Sequence, residues 1–258
     1  MEHIPYFRLV DYLDIQKGNI LLVSSDMVLL GIECARNGYI LDINVFIESL
    51  MNKLGREGTL LFPTYNWDFC KGITFDYYKT QCKTGILGQT ALNRKDFRRT
   101  QHPIYSFAVW GKDQDYLCEL SNKSAFGIDS PFAYLDKKKG KNLMVGLFFR
   151  GCFTYVHYIQ EISGILDCRY MKNFEGKYID EDQKESIREY SMFVKKLDLN
   201  VTNDTLPIGE HIENLGFAKR TYLNNVPITT VDLHSSSNII MDDVKNNRSR
   251  KICKFIGQ

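Results

Sequence analysis

Apolar and polar positions alternate along this chain in a way that predicts an α/β protein. The run Asn19-Ile20-Leu21-Leu22-Val23 is almost wholly apolar and stops at Ser24-Ser25-Asp26, with Gly31 following. Bulky and branched residues followed at once by helix-capping types predict a buried strand that feeds a turn and a helix. Farther on, Ile43, Phe46, Ile47, Leu50, Met51 and Leu54 share one face at helical spacing, with Asp42 in the N-cap place and Gly55 just past the end. Gly58 to Thr64 is a second buried strand by the same criteria. A β-α-β unit around a covered sheet follows.

Residues 65 to 83 predict a long aromatic and polar loop, Tyr65-Asn66-Trp67-Asp68-Phe69 through Phe75-Asp76-Tyr77-Tyr78. Loops of that length in a compact domain more often serve function than architecture. A helix is expected over Leu87 to Asn93, and strands over Ser106 to Trp110 and Asn142 to Leu147. Phe126 to Pro131 reads as a loop entering a helix with proline early in it. Cys152 to Ile162 reads as a helix that sets His157 and Glu161 one turn apart on one face. Arg169 to Phe174 and Glu189 to Lys196 are expected strands, the second also compatible with a helix. Pro207 to Gly216 and Ser235 to Val244 read as helices, and residues 247 to 258 as a frayed end. With no repeat and no linker, one three-layer αβα domain around a mixed, largely buried sheet is expected.

Composition narrows the function. The chain has 258 residues, 44% of them hydrophobic and 25% charged, with a formal net charge of +2. That excludes disorder as the main state and leaves no basic surplus of the kind a dedicated nucleic-acid binder shows. The Lys137-Lys138-Lys139-Gly140-Lys141 run reads as a solvated turn. The seven cysteines show neither paired spacing nor a zinc-ligand pattern, so no disulfide framework and no metal is expected, and a reducing compartment is the simpler setting. Glu2 and Asp11 stand where a secretory signal needs a basic start and an apolar core, and no apolar run reaches membrane-spanning length. The expectation is a cytoplasmic protein without a membrane partner, with a homodimer left open.

No GxGxxG follows a strand, and GxxxxGK[ST], GxSxG and HExxH are absent, which removes the common nucleotide, hydrolase and zinc-protease chemistries. The strand-end loops are instead rich in Ser, Thr, His and Gly. Their order resembles the aminoglycoside 3-N-acetyltransferase family, a fold distinct from the GNAT acetyltransferases. The landmarks are Val23-Ser24-Ser25 with Gly31; Gly58-Thr59-Leu60-Leu61-Phe62-Pro63-Thr64 for GTLxxPT; and Phe75-Asp76 followed by Thr84-Gly85-Ile86-Leu87 for FDxxxTPxxxGxL. They continue with Phe97-Arg98-Arg99; His102 to Ala108 for HPxxSxA; Phe126 to Pro131 for FGxxSP; and Thr154-Tyr155-Val156-His157 for TxxH. Each match alone is weak, but together they run in order from residue 19 to 162 and more weakly to 245.

The resemblance implies transfer of an acetyl or other short acyl group from its CoA thioester to a sugar amine. It implies a cofactor channel at Ser24 and Ser25, which could offer hydroxyls and backbone N–H groups to the pyrophosphate, continued by Thr64, Ser106 and Ser130. Each of these residues could equally cap its own turn. His157 would be the general base, because a neutral imidazole can take the proton an ammonium must lose before attack. Glu161 could orient it, although the family has Glu at the third position after this His and here that place is Gln160. The family's His ahead of the Ser-Ser pair is Val23. His102 is a rival base and a candidate substrate contact, and a cysteine acyl-enzyme on Cys152 is a minor alternative.

Substrate is where the chain departs from its relatives. The drug-modifying members carry a long acidic insertion after PT, whereas here only Tyr65 to Thr74 intervene, with Asp68 the sole acid and Lys71 beside Trp67 and Phe69. Aromatic rings and a cation suit a nucleobase and a phosphate. A nucleotide-linked amino deoxysugar, as in polysaccharide biosynthesis, is therefore the expected acceptor, with Tyr65, Trp67, Asp76 and His102 as its contacts. An aminoglycoside-resistance acetyltransferase is the alternative of the same class. An inactive CoA- or carbohydrate-binding protein is the alternative of another class.

Overall fold

The computed structural model describes residues 3–165 and 168–255. In chain order the elements are β1 (Ile20–Ser25), α1 (Val28–Arg36), α2 (Ile43–Leu54), β2 (Thr59–Pro63), β3 (Phe75–Asp76), α3 (Ile86–Leu92), β4 (Arg98–Arg99), β5 (Phe107–Gly111), α4 (Gln114–Cys118), α5 (Pro131–Lys137) and β6 (Lys141–Val145). There follow α6 (Val156–Ile162), β7 (Arg169–Ile179), β8 (Glu185–Lys195), β9 (Val201–Asn203), α7 (Leu206–Asn214), β10 (Ala218–Leu223), β11 (Val226–Asp232), α8 (Leu233–Asn247) and β12 (Cys253–Phe255).

The main sheet runs β10-β11-β6-β1-β2-β5-β4, with β1 parallel to both β6 and β2 and the flanking pairs antiparallel. Side chains of its central strands alternate between two cores. Leu21, Val23, Leu60, Phe62, Leu143 and Val145 pack on one face with α1, α2 and α3. Leu22, Leu61 and Met144 pack on the other with α5, α6, α7 and α8. This strand period of two, buried on both sides, is the three-layer α/β arrangement that the unbroken apolar runs predict. The α2 boundaries match the sequence reading: Asp42 accepts from the N–H groups of Asn44 and Val45, and Gly55 ends the helix at φ 66°.

Three departures matter for the site. Residues 65 to 83 are not a free loop, because Phe75 and Asp76 form β3 and pair in parallel with Tyr178 and Ile179 of β7. The expected short strands near 170 and 190 are the first and last parts of one long hairpin, β7–β8, closed by a turn in which the Asp180 carboxylate accepts from the N–H groups of Asp182 and Lys184. The chain after residue 247 is held rather than frayed as far as 255: the Asp243 carboxylate accepts from the Lys251 N–H, β12 pairs with β9, and Ile252 and Cys253 are buried. Residues 256–258 of that expectation lie outside the described residues. Among the described residues no helix is long and apolar enough to cross a membrane.

Candidate active site

The parallel strands β6, β1 and β2 all end on one edge of the sheet, the place where open α/β sheets receive ligands. Ser24 and Ser25 lie at the end of β1, opposite Met144 and Val145 of β6. Thr84 donates to the Pro63 carbonyl and accepts from the Tyr65 N–H, which folds the exit of β2 back over the same edge. The chain leaving β6 turns through residues 147 to 155 and enters α6, whose first turn carries His157.

His157 is the centre of a buried polar chain. Its Nδ1 lies 2.9 Å from Gln160 Oε1, and since that oxygen can only accept, Nδ1 bears the proton and Nε2 presents the lone pair. The Gln160 amide is held in turn, its nitrogen directed at Ser249 Oγ at 3.4 Å and Cys253 Sγ at 3.7 Å. The C-terminal segment thus sets the tautomer of a histidine almost a hundred residues upstream. Nε2 faces Arg169 Nη2 at 3.5 Å and Asn203 Nδ2 at 3.4 Å, and Arg169 itself donates to Asn203 Oδ1 at 2.7 Å. Burial, and after it the Arg169 charge, hold the imidazole well below its ordinary range, with the Gln160 contact opposing them. The ring is therefore neutral at neutral pH.

Two clefts meet at this ring. One, of about 380 Å³, is lined by Ser24, Ser25, Tyr65, Thr84, Cys152 and Thr154. The other, of about 320 Å³, is walled by the β7–β8 hairpin, including Arg169, Lys172 and Lys195. Trp67, Tyr105, His157 and Asn203 belong to both. The geometry suits a reaction between two molecules that enter from opposite sides and share one base. A larger hollow of about 580 Å³ lies between the N-terminal turn and α2, away from these groups. Among the described residues no cluster of His, Cys, Asp and Glu could hold a metal ion.

The family model of aminoglycoside 3-N-acetyltransferases matches residues 22–243. The chain belongs to that family. Three solved structures of similar fold are AAC-IIIb in a binary complex with CoASH (TM-score 0.77, 16% identity, 94% of this chain and 95% of that one), sisomicin-bound AAC-VIa (0.77, 15%, 94% and 97%) and YokD from Bacillus subtilis (0.75, 18%, 95% and 93%). No curated protein matches the chain in sequence. The chain is thus an acyltransferase of the amine-acetylating kind. The family taken alone favours an aminoglycoside acceptor over a nucleotide-linked one.

Within this acetyltransferase family member, the expected site residues separate into two sets. Ser24, Ser25, Tyr65, Trp67 and His157 converge on the clefts. The two serines do so from the last positions of a strand, since α1 begins only at Val28 and its first turn is not where they sit. The remaining residues do not converge. Thr64 and Ser106 are fully buried hydroxyl partners, 2.8 Å apart, and Arg99 Nε donates to Ser106 Oγ at 3.0 Å. Ser130 is the N-cap of α5, accepting from the Ala133 N–H. Asp76 caps its own turn through the N–H groups of Tyr78 and Lys79, which together with Lys79 hold its carboxyl below the usual range against the opposing effect of burial. His102 Nδ1 accepts from the N–H groups of Ile104 and Tyr105, and burial pushes its pKa down to about 4. It is a turn-forming residue, not a rival base.

Glu161 also falls outside the site. One position further along α6 than Gln160, its carboxylate turns toward the Ser124–Asp129 turn, where burial raises its pKa. Both residues stand about one turn on from His157, and it is the Gln160 side chain that meets the imidazole. Cys152 lines the donor-side cleft, but its thiol donates to the Phe148 carbonyl and burial pushes its pKa up to about 12. Arg169, Asn203, Lys172 and Lys195 were not singled out by sequence, and only Gln160 left a trace there, as the substitute for the family's Glu.

Proposed function

We propose that this chain is an acetyl-CoA-dependent N-acetyltransferase, one catalytic domain throughout, acting in the cytoplasm on the amine of an amino sugar. The observation that carries the reading is the Nε2 lone pair of His157 at the junction of two clefts, its proton locked on Nδ1 by Gln160. Acetyl-CoA supplies the acetyl group as a thioester. The donor-side cleft fits it: the Tyr65 hydroxyl is buried there without a partner, and Thr84, Thr154 and Ser25 add polar groups suited to a pantetheine arm. His157 Nε2 takes the proton of the attacking amine as the new N–C bond forms and the C–S bond breaks, and returns it to the departing sulfur. Trp67 and Tyr105, common to both clefts, hold the two reactants in contact, which turns a bimolecular encounter into an oriented one.

For the acceptor, a nucleotide-linked amino deoxysugar is supported by the aromatic lining of the hairpin cleft, with Trp67, Tyr105 and Phe174 available for stacking. The support once drawn from Lys71 falls away, because Lys71 and Lys83 both pair with Asp68 and the loop is close to neutral. An aminoglycoside acceptor is the second reading, favoured by the family and by AAC-VIa, whose structure holds sisomicin. Thiol release from acetyl-CoA, measured against kanamycin-type drugs and against dTDP- and UDP-amino sugars, decides between them. Turnover confined to the drugs sinks the nucleotide-sugar reading. Binding of acetyl-CoA with no turnover of any amine sinks the enzyme.

A further inference from the structure

The cleft between His157 and the hairpin carries Arg169, Lys172 and Lys195 and, among the described residues, no carboxylate. None of the three forms an ion pair among the described residues. Arg169 is the decisive one. It is 4% exposed, its Nη1 donates to the Phe193 carbonyl at 2.9 Å and its Nη2 to Asn203, while its Nε has no partner. A guanidinium taken out of water is normally matched by a carboxylate, and here its hydrogen bonds run to neutral acceptors, with only the Cys253 thiol, pushed down to about 7 by its Cys168 contact and by Arg169, adding anionic character nearby. The hairpin register adds a second oddity. Arg169 lies directly opposite Lys195, and like charges in that relation oppose strand pairing.

We propose that this cleft is an anion subsite: the acceptor bears, beside its amine, a phosphate or carboxylate group that Arg169, Lys172 and Lys195 hold while the amine lies at His157 Nε2. The inference rests on the amine-acetylation reading above and names its substrate class. The planar fork of Arg169 suits two oxygens of one phosphate or carboxylate, and the lysines serve as point charges at the more exposed mouth. The same cations disfavour an ammonium nearby, which keeps the acceptor amine in the neutral form that attacks. A polycationic drug would set its ammonium groups against all three.

The test uses the full chain and five amines: glucosamine, glucosamine 6-phosphate, UDP-glucosamine, aminoglucuronate and kanamycin. Turnover is followed by thiol release, and equilibrium binding is measured in parallel on protein saturated with CoA. At least one anionic amine should exceed glucosamine in kcat/KM and in affinity by about tenfold or more. Which one does so separates phosphomonoester, diphosphate and carboxylate. In the Lys172→Ala/Lys195→Ala double variant, whose positions lie on accessible parts of the strands, that preference should shrink about tenfold through KM, with glucosamine changed less than about twofold. The Lys172→Arg/Lys195→Arg variant should restore it. Equal handling of neutral and anionic amines by the wild type, a preference for kanamycin, or an unchanged preference in the double variant overturns the subsite. If no amine turns over, the enzymatic reading fails, and the subsite still stands or falls on the binding measurements.

Discussion

The two walls that meet at His157 are built in opposite ways. The donor-side wall is made of loops at the ends of the three parallel strands of the main sheet, and its hydroxyls and rings are uncharged. The acceptor-side wall is an antiparallel hairpin outside that sheet, tied to it through β3 and the Ser124–Ala125 contacts with Ser191, and it carries three cations. The first wall inherits its position from the sheet, so any chain with this fold presents it. The second buries Phe193, Tyr178 and Tyr190 in the cores but leaves Lys172 on an exposed position beside the cleft. On the proposed reading, the thioester is held at the first wall and the acceptor is chosen at the second.

His157, the proposed base shared by both walls, gives the largest expected effect. His157→Ala should lower kcat about 10²- to 10⁴-fold, the usual worth of a positioned general base, with acetyl-CoA binding by calorimetry little changed. Retention of wild-type turnover would remove the common base and with it the picture of two walls meeting at one ring. Next in size is a test of which hydroxyls belong to the donor side. Ser106→Ala removes a buried acceptor from Arg99 and a partner from Thr64, so it should cost about 1–3 kcal/mol in denaturant unfolding. The acetyl-CoA KM should stay within about twofold. A rise of tenfold in KM at unchanged stability would return Thr64 and Ser106 to the cofactor channel.

The legibility of the two walls in sequence follows from the same contrast. β1, β2 and α2 are readable because burial on both faces, or on one helical stripe, leaves a continuous apolar signal with caps at its ends. The hairpin leaves none: in Arg169-Tyr170-Met171-Lys172 the first residue is buried and the last exposed, yet both read as surface strand positions. Arg169 meets His157 only through the tertiary fold, so no spacing announces it. The hydroxyls of HPxxSxA and FGxxSP misled for a different reason. In this chain they hold the fold together, Ser106 by accepting from Arg99 and Ser130 by capping α5. A motif can mark architecture as firmly as it marks a ligand. β10 and β11 carry a weak signal for a local reason, since Pro227 interrupts the second strand's run and argues against an interior strand.

A smaller effect is expected from the pair that sets the imidazole. With Nδ1–H given to a neutral amide, no anion favours the imidazolium, and burial and Arg169 both oppose it. The active form is the neutral ring, so the rate should fall only as pH drops through the lowered pKa, and the acid limb should lie well below pH 6.5. Gln160→Glu places a carboxylate at Nδ1, favours the charged ring and should move that limb upward by about one unit or more. An unmoved or lowered limb would mean that the kinetic pKa belongs to another group.

The smallest effect should come from Cys152, which lines the donor wall close to His157 and would be the nucleophile of any acyl-enzyme route. Burial pushes its thiol up to about 12, which makes the thiolate scarce at neutral pH, and its hydrogen bond runs to the Phe148 carbonyl rather than to His157. Cys152→Ser keeps a donor for that carbonyl and removes the sulfur that lines the cleft. If the amine attacks the thioester directly, kcat/KM should stay within about twofold and rapid-mixing traces should show no burst of thiol in either protein. A burst in the wild type that vanishes in the variant would move the chemistry from the shared base onto the donor wall. The acceptor wall would then select the amine without any part in the first half of the reaction.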